Sequence, residues 1–184
     1  MKYVFVALIA ALSLGFMIPS TVSTMVVYAQ QQTSGNQTAG NQTAAQGVPG
    51  QFVANMSGKN LFPPVNSNAS GQASFNVTNQ GKMAYSVKAH GLDKVSSVSL
   101  EYTTGGRSRD IILLYDSVMS GPTGKINGVL TQGSFSPSAF LSDFSGKHIS
   151  DLVKAMADGN IFLRVRTISL PLGEIGGKVT PNIK

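Results

Sequence analysis

The side chains of this 184-residue chain that could move a proton near neutral pH are eight carboxylates and two histidines. The carboxylates are Asp93, Glu101, Asp110, Asp116, Asp143, Asp151, Asp158 and Glu174. Two of them held close together would suit general acid–base work, but none sits in a recognisable catalytic motif. His90 and His148 are far apart in sequence and there is no cysteine, which argues against a clustered transition-metal site. No Asp-rich loop points to calcium. Serines are plentiful, yet no Gly-x-Ser-x-Gly elbow presents one as a nucleophile. Gly105-Gly106 with Arg107 and Arg109 makes a basic turn without the Gly-Lys-Ser/Thr that a phosphate loop needs. Glu174 follows Gly173 at the start of a strand and is expected to bond backbone amides or an arginine. The expectation is a chain with no catalytic residue, no cofactor and no metal.

Composition narrows the classes further. Charged residues make up 12% of the chain, about half the usual share for a soluble domain. The formal charge is +6, or 6 − 1 = +5 if Lys2 leaves with a signal segment. Lys and Arg are scattered apart from Arg107 with Arg109 and Arg164 with Arg166, so no basic patch interleaved with aromatics suggests nucleic acid. A mildly basic surface could face anionic polymers or lipids, with plain solvated charge as the simpler reading. Without cysteine no disulfide can form, and stability must come from an apolar core.

The elements that must position any site begin after two leading segments. Lys2 precedes an uncharged run from Tyr3 to Ile18, and Val27-Tyr28-Ala29 places small residues where a signal peptidase reads them. Residues 1–29 are therefore expected to be a signal peptide or an uncleaved N-terminal anchor, and either puts the rest outside the cytoplasm. Residues 30–50 are a low-complexity Gln/Asn/Thr linker with a near repeat, Asn36-Gln37-Thr38 and Asn41-Gln42-Thr43. Both tripeptides are N-glycosylation acceptors, as are those at Asn55, Asn68 and Asn76. Five such sites lean towards a glycosylated surface protein, given a host that glycosylates.

From residue 51 to 180 the pattern is that of a β domain. Ala73, Phe75 and Val77 alternate with polar neighbours, as do Met83, Tyr85, Val87 and Ala89, and Asn79-Gln80-Gly81 separates the two runs as a hairpin turn. Further strands are expected at 51–56, 95–102, 110–116, 128–135, 161–168 and 174–180. Seven or eight short strands imply an all-β fold, an antiparallel sandwich or barrel. One short helix is expected at 150–158, capped by Ser150, stopped by Gly159, and turning Ile149, Leu152, Val153 and Met156 towards the sheet. Ser136-Pro137 is expected to open another turn of helix towards Phe144.

The order of several motifs resembles the chordin-type (CHRD) domain. Asn60-Leu61-Phe62-Pro63-Pro64-Val65 precedes Gly71-Gln72-Ala73-Ser74-Phe75, and the tyrosine strand ends in Gly91-Leu92. Late in the chain come the Leu152 helix, Gly159-Asn160, the strand to Thr167, and Pro171-Leu172-Gly173-Glu174-Ile175-Gly176-Gly177. The resemblance implies histidines in two places where this chain has others. Ser99-Leu100-Glu101 stands for a His-x-His, and Arg166-Thr167 for a His-Thr. Gly176 replaces the Arg of the last motif, and Phe62 the acidic residue before Pro-Pro. A metal or ligand held by those histidines would be lost here. Side chains two apart share a face of a strand, so Glu101 and Arg166 could pair where the family places histidines. Two unrelated solvated charges are an equal alternative. The candidate polar cluster is thus Ser99, Glu101, Arg164, Arg166 and Glu174.

Two functional readings follow. The first is an extracytoplasmic, non-catalytic binding or structural module, secreted or on the cell surface, with an extracellular protein or envelope polymer as partner. Membrane contact is expected only through a retained N-terminal segment. The second is a metal-dependent or redox enzyme, or a metal-binding domain, on a β-sandwich scaffold.

Overall fold

The computed structural model describes residues 50–121 and 123–182. The expected signal segment, nearly all of the expected linker, and the acceptors Asn36 and Asn41 lie outside them.

One antiparallel sheet of nine strands forms the domain, curled into a half-barrel. The strands are β1 (Gln51–Ser57), β2 (Ser70–Val77), β3 (Met83–Leu92), β4 (Val95–Thr104), β5 (Arg107–Asp116), β6 (Ile126–Phe135), β7 (Ile161–Thr167), β8 (Ile175–Lys178) and β9 (Thr180–Pro181). Their order is β5-β4-β7-β8-β1-β2-β3-β6, with β9 also on β1. The fold class matches the expectation. The ninth strand arises because the run expected at 174–180 is divided at Val179, whose N–H donates to the Ile161 carbonyl.

Alternation builds the sheet. Inward Phe52, Phe75, Met83, Val87, Leu100, Leu163 and Ile175 are buried, while most of their outward neighbours are polar or small, Val53 and Phe162 excepted. The β2–β3 turn is closed by Gly81 N–H to the Thr78 carbonyl, with Gly81 at φ 67°, a left-handed angle that suits glycine. The two edges of the curl meet at one carbonyl. Leu114 O on β5 accepts from Tyr85 Oη at 3.3 Å and from Thr131 Oγ1 at 3.2 Å, so side chains join β5 to β3 and β6.

Helix α2 (Ile149–Ala157) buries Ile149, Leu152, Ala155 and Met156. Val153, expected on that face, is only half-buried, and Ala155 takes part instead. His148, not Ser150, is the cap residue, and the Asp151 carboxylate accepts its N–H at 2.8 Å. The helix starts two residues earlier than Ser150 capping would allow, and Ile149 is drawn into the core. At the other end Gly159 N–H donates to Met156 O and Asn160 N–H to Ala155 O, with Gly159 at φ 73°. That is the pair of bonds by which a left-handed glycine closes a helix. Between β6 and α2 two single 3-10 turns, Pro137–Ala139 and Ser142–Phe144, replace the expected further turn of helix. A short helix α1 (Ser117–Ser120), not expected, follows β5.

Candidate functional site

The outward faces of β5, β4 and β7 assemble a polar cluster. On β4, Ser99, Glu101 and Thr103 alternate with core residues and so share one face. Gly105-Gly106 is a two-residue turn, and its register sets Thr103 opposite Ser108 and Glu101 opposite Asp110 on β5. On the other flank β7 lies antiparallel to β4, with Ser99 opposite Arg164 and Ser97 opposite Arg166. Two carboxylates directly across a ladder repel each other. Here two guanidiniums from the third strand neutralise them.

Glu101 is the hub, with its side chain only 4% exposed. Its Oε1 accepts from Arg164 Nε at 2.6 Å and from Arg166 Nη2 at 2.6 Å. Its Oε2 accepts from Arg164 Nη2 at 3.1 Å and from Ser108 Oγ at 2.8 Å. Arg166 also donates to Ser99 Oγ at 2.7 Å and to Asp110 Oδ1 at 3.3 Å, and Ser99 Oγ donates to Asp110 Oδ1 at 2.6 Å. Arg164 Nη1 reaches the Leu172 carbonyl at 3.1 Å, and its guanidinium carbon lies 5.4 Å from the Phe162 ring centre. The long arginine stems lie over the strand and exclude water from Glu101, which is why an outward residue is buried. Every buried polar side-chain atom among the described residues has a partner.

Of the residues expected in this cluster, the fold brings together Ser99, Glu101, Arg164 and Arg166. Glu174 lies elsewhere. Its carboxylate accepts from Ser67 Oγ at 2.9 Å and Thr167 Oγ1 at 2.8 Å, instead of from the backbone amides or arginine expected. It thereby ties the β1–β2 loop to the end of β7. The two members that sequence reasoning missed are Ser108 and Asp110. The Gly-Gly turn carried the signal for both, since a two-residue loop pairs residues by simple counting outward.

Gly176 lies opposite Arg164 on β8. A Cβ there would clash with the Phe162 ring and come within 2.8 Å of Leu61, so these two apolar groups occupy the outward slot. Beside it, a cleft of about 240 Å³ runs between Leu61, Phe62 and Val65 on one side and Leu170, Pro171 and Leu172 on the other, with Arg164 in its wall. Across Phe62 and Arg164 a second cleft of about 320 Å³ is lined by Thr103, Ser108 and Phe162.

The model for the CHRD domain matches residues 52–179. The chain belongs to the CHRD-domain family. No curated protein and no solved structure matches it. The CHRD match spans β1 to Val179, so the polar cluster, α2 and both clefts are all within the family's domain. Measured against the family pattern, the positions of its histidine motifs are filled here by one hydrogen-bonded set of Ser99, Glu101 and Arg166. His90, on β3, and His148, at the start of α2, make no side-chain hydrogen bond to this CHRD cluster. Among the described residues no three His, Asp or Glu side chains are grouped as metal ligands would be.

Both oxygens of Glu101 already accept two donors each, which saturates a carboxylate. Binding a cation there would mean displacing one of these four donors. The arrangement is built to hold three strands together.

Proposed function

We propose that this CHRD domain is an extracytoplasmic, non-catalytic binding or structural module in which the four-charge cluster serves as an internal strut. The observation that carries the reading is the closed donor and acceptor count of Glu101, at the positions where the family pattern has histidines. A catalytic carboxylate needs a free lone pair or an exchangeable proton facing a substrate, and this one faces two guanidiniums. Export is supported by the N-terminal Lys2, the apolar run and the Val27-Tyr28-Ala29 site. Asn55, Asn68 and Asn76 are all exposed, which suits display of glycans on a surface protein.

Elemental analysis tests the reading directly. Purified protein is expected to carry less than about a tenth of an equivalent of copper, zinc or iron, because no three His, Asp or Glu side chains are grouped among the described residues. A stoichiometric metal that disappears on Glu101→Ala would overturn the proposal. The strut itself is read from stability. Glu101→Ala leaves Arg164 without a carboxylate and Arg166 with only the longer contact to Asp110, and is expected to cost about 3 kcal/mol, the lower end for a broken buried pair because both arginines keep some water. Replacing Glu101, Arg164 and Arg166 together with Leu, Met and Leu is expected to recover most of that loss. Mass analysis of the native protein is expected to find cleavage before Gln30 and added mass on peptides containing the three acceptors.

A further inference from the structure

The exposed apolar side chains are unevenly placed. The strands alternate in direction, so the loops β1–β2, β3–β4, β5–β6 and β7–β8 all fall at one end of the half-barrel and form its rim. Among the described residues, the five most exposed large apolar side chains all lie in three of these loops: Phe62 (95%), Val118, Met119, Leu172 and Ile168 (56%). Phe62 and Leu172 also border a recess.

Phe62 is a ridge between two hollows. On one side lies the cleft of about 240 Å³, walled by Leu61, Val65, Leu170, Pro171 and Leu172, and on the other the cleft of about 320 Å³ that reaches Phe162. The ridge and the apolar walls of the first cleft belong to residues 58–69 and 168–174, the β1–β2 and β7–β8 loops. Hydrogen bonds fix both loops. The Gly58 carbonyl accepts from Leu61 N–H at 3.3 Å and Val65 N–H at 2.9 Å. Ser67 Oγ donates to Glu174, which ties one loop to the other, and Arg164 Nη1 holds the Leu172 carbonyl. The patch is also electrically neutral. Its two loops carry one lysine, Lys59, and one acid, Glu174, and Arg164 in the cleft wall is paired with Glu101.

We propose that this patch is the contact through which two copies of the chain form a two-fold dimer. The inference rests on the binding-module reading and names the partner as a second copy. In a two-fold contact the same surface serves both subunits, so whatever projects from one must find its recess on the other. Here projection and recess adjoin on one surface. Phe62 of each copy enters the 240 Å³ cleft of the other, and Leu172 at the cleft's edge closes over the ring. A surface that meets its own copy sets like charges near one another, a cost that a neutral patch escapes. Loops already fixed by hydrogen bonds lose little freedom on docking. β1 begins at the opposite end of the half-barrel, so the chain before Gln51 joins the domain away from this contact. With one phenylalanine per copy at its centre the contact is small, and the dimer is expected to be weak, with Kd on the order of 10 μM.

Sedimentation velocity on the full chain as recovered from its host, from roughly 1 to 100 μM, reads the association directly. The mass is expected to rise from one copy to two and stop there, as a closed two-fold contact requires. Phe62→Asp and Leu172→Asp are each expected to weaken the association about tenfold or more, because each sets a carboxylate against an apolar cleft. Tm at low concentration, where the chain is monomeric, is expected to stay unchanged in both variants, since both side chains are exposed. Met119→Asp removes a similarly exposed apolar side chain from a loop outside the patch and is expected to leave the dimer intact. A chain that stays monomeric throughout, or a mass that climbs beyond two copies, would overturn the proposal. So would an association untouched by Phe62→Asp and Leu172→Asp, which is the result expected if the N-terminal segment holds the copies together. An association weakened equally by Met119→Asp would overturn it as well. A monomer whose cleft takes up an apolar dye, with uptake lost in Leu172→Asp, would assign the patch to a small ligand instead. None of these results depends on the metal content that tests the module reading.

Discussion

The two ends of the half-barrel use the same kinds of side chain to opposite effect. At the α2 end aromatic rings pack edge to face in a chain, with Tyr102 against Phe144 at 5.1 Å, Phe144 against Phe140 at 5.7 Å, and Phe140 against Phe135 at 6.3 Å. Phe135, Phe140 and Phe144 are all buried there. At the other end Phe62 and Leu172 stand in solvent beside a cleft. The difference comes from what covers each opening. A helix with one apolar side lies over the first, and the second is crossed by loops that carry only single turns of helix, one of them α1. Apolar residues at a covered end stabilise the fold, and those at an open end are available to something else.

Substitutions can break that contrast. Leu152→Ala in α2 is expected to cost about 3 kcal/mol, as is Phe144→Ala, because both empty a packed site. Chemical denaturation would show it as a lower midpoint with an unchanged slope. A loss below about 1 kcal/mol would mean that α2 is peripheral to the fold. Gly159→Ala should cost roughly 1 kcal/mol, since φ there is 73° and a Cβ would also crowd the Lys178 side chain. At the open end, Phe62→Ala and Met119→Ala are each expected to change stability by less than about 0.5 kcal/mol. A larger loss would show that the rim is structural. The smallest effect belongs to Lys154 on the exposed side of α2. The hydrogen bond and charge of Asp158 raise its pKa above the ordinary 10.5. A raised folded-state pKa adds stability only while the amine stays charged, so any contribution is present below that value and fades above it. Lys154→Ala should leave Tm unmoved at neutral pH.

How much could be read beforehand differs from residue to residue. The β2–β3 hairpin was legible because both strands alternate strictly and Gly81 marks the turn. The Glu101–Asp110 opposition was legible too, through the Gly105-Gly106 turn, though counting outward from that turn was needed to see it. The partnership of Glu101 with Arg166 was suggested only by family positions, and that with Arg164 was not suggested at all. No local pattern makes β7 the neighbour of β4, because fifty-six residues separate Thr104 from Ile161. The cap of α2 was misplaced for a related reason. Ser150 has the stronger local preference, but burial of Ile149 starts the helix two residues sooner than a Ser150 cap would.

Local chemistry therefore determined the strands, their inward and outward faces, the one helix and the family, since each depends on residues within a few positions of one another. The neighbour order of distant strands, the burial of Glu101 under two arginines, and the gathering of Phe62, Val118, Met119 and Leu172 at one end were decided by the tertiary structure alone. Those outcomes depend on how a twisted sheet curls to cover its apolar side, a balance summed over the whole chain and written in no single segment.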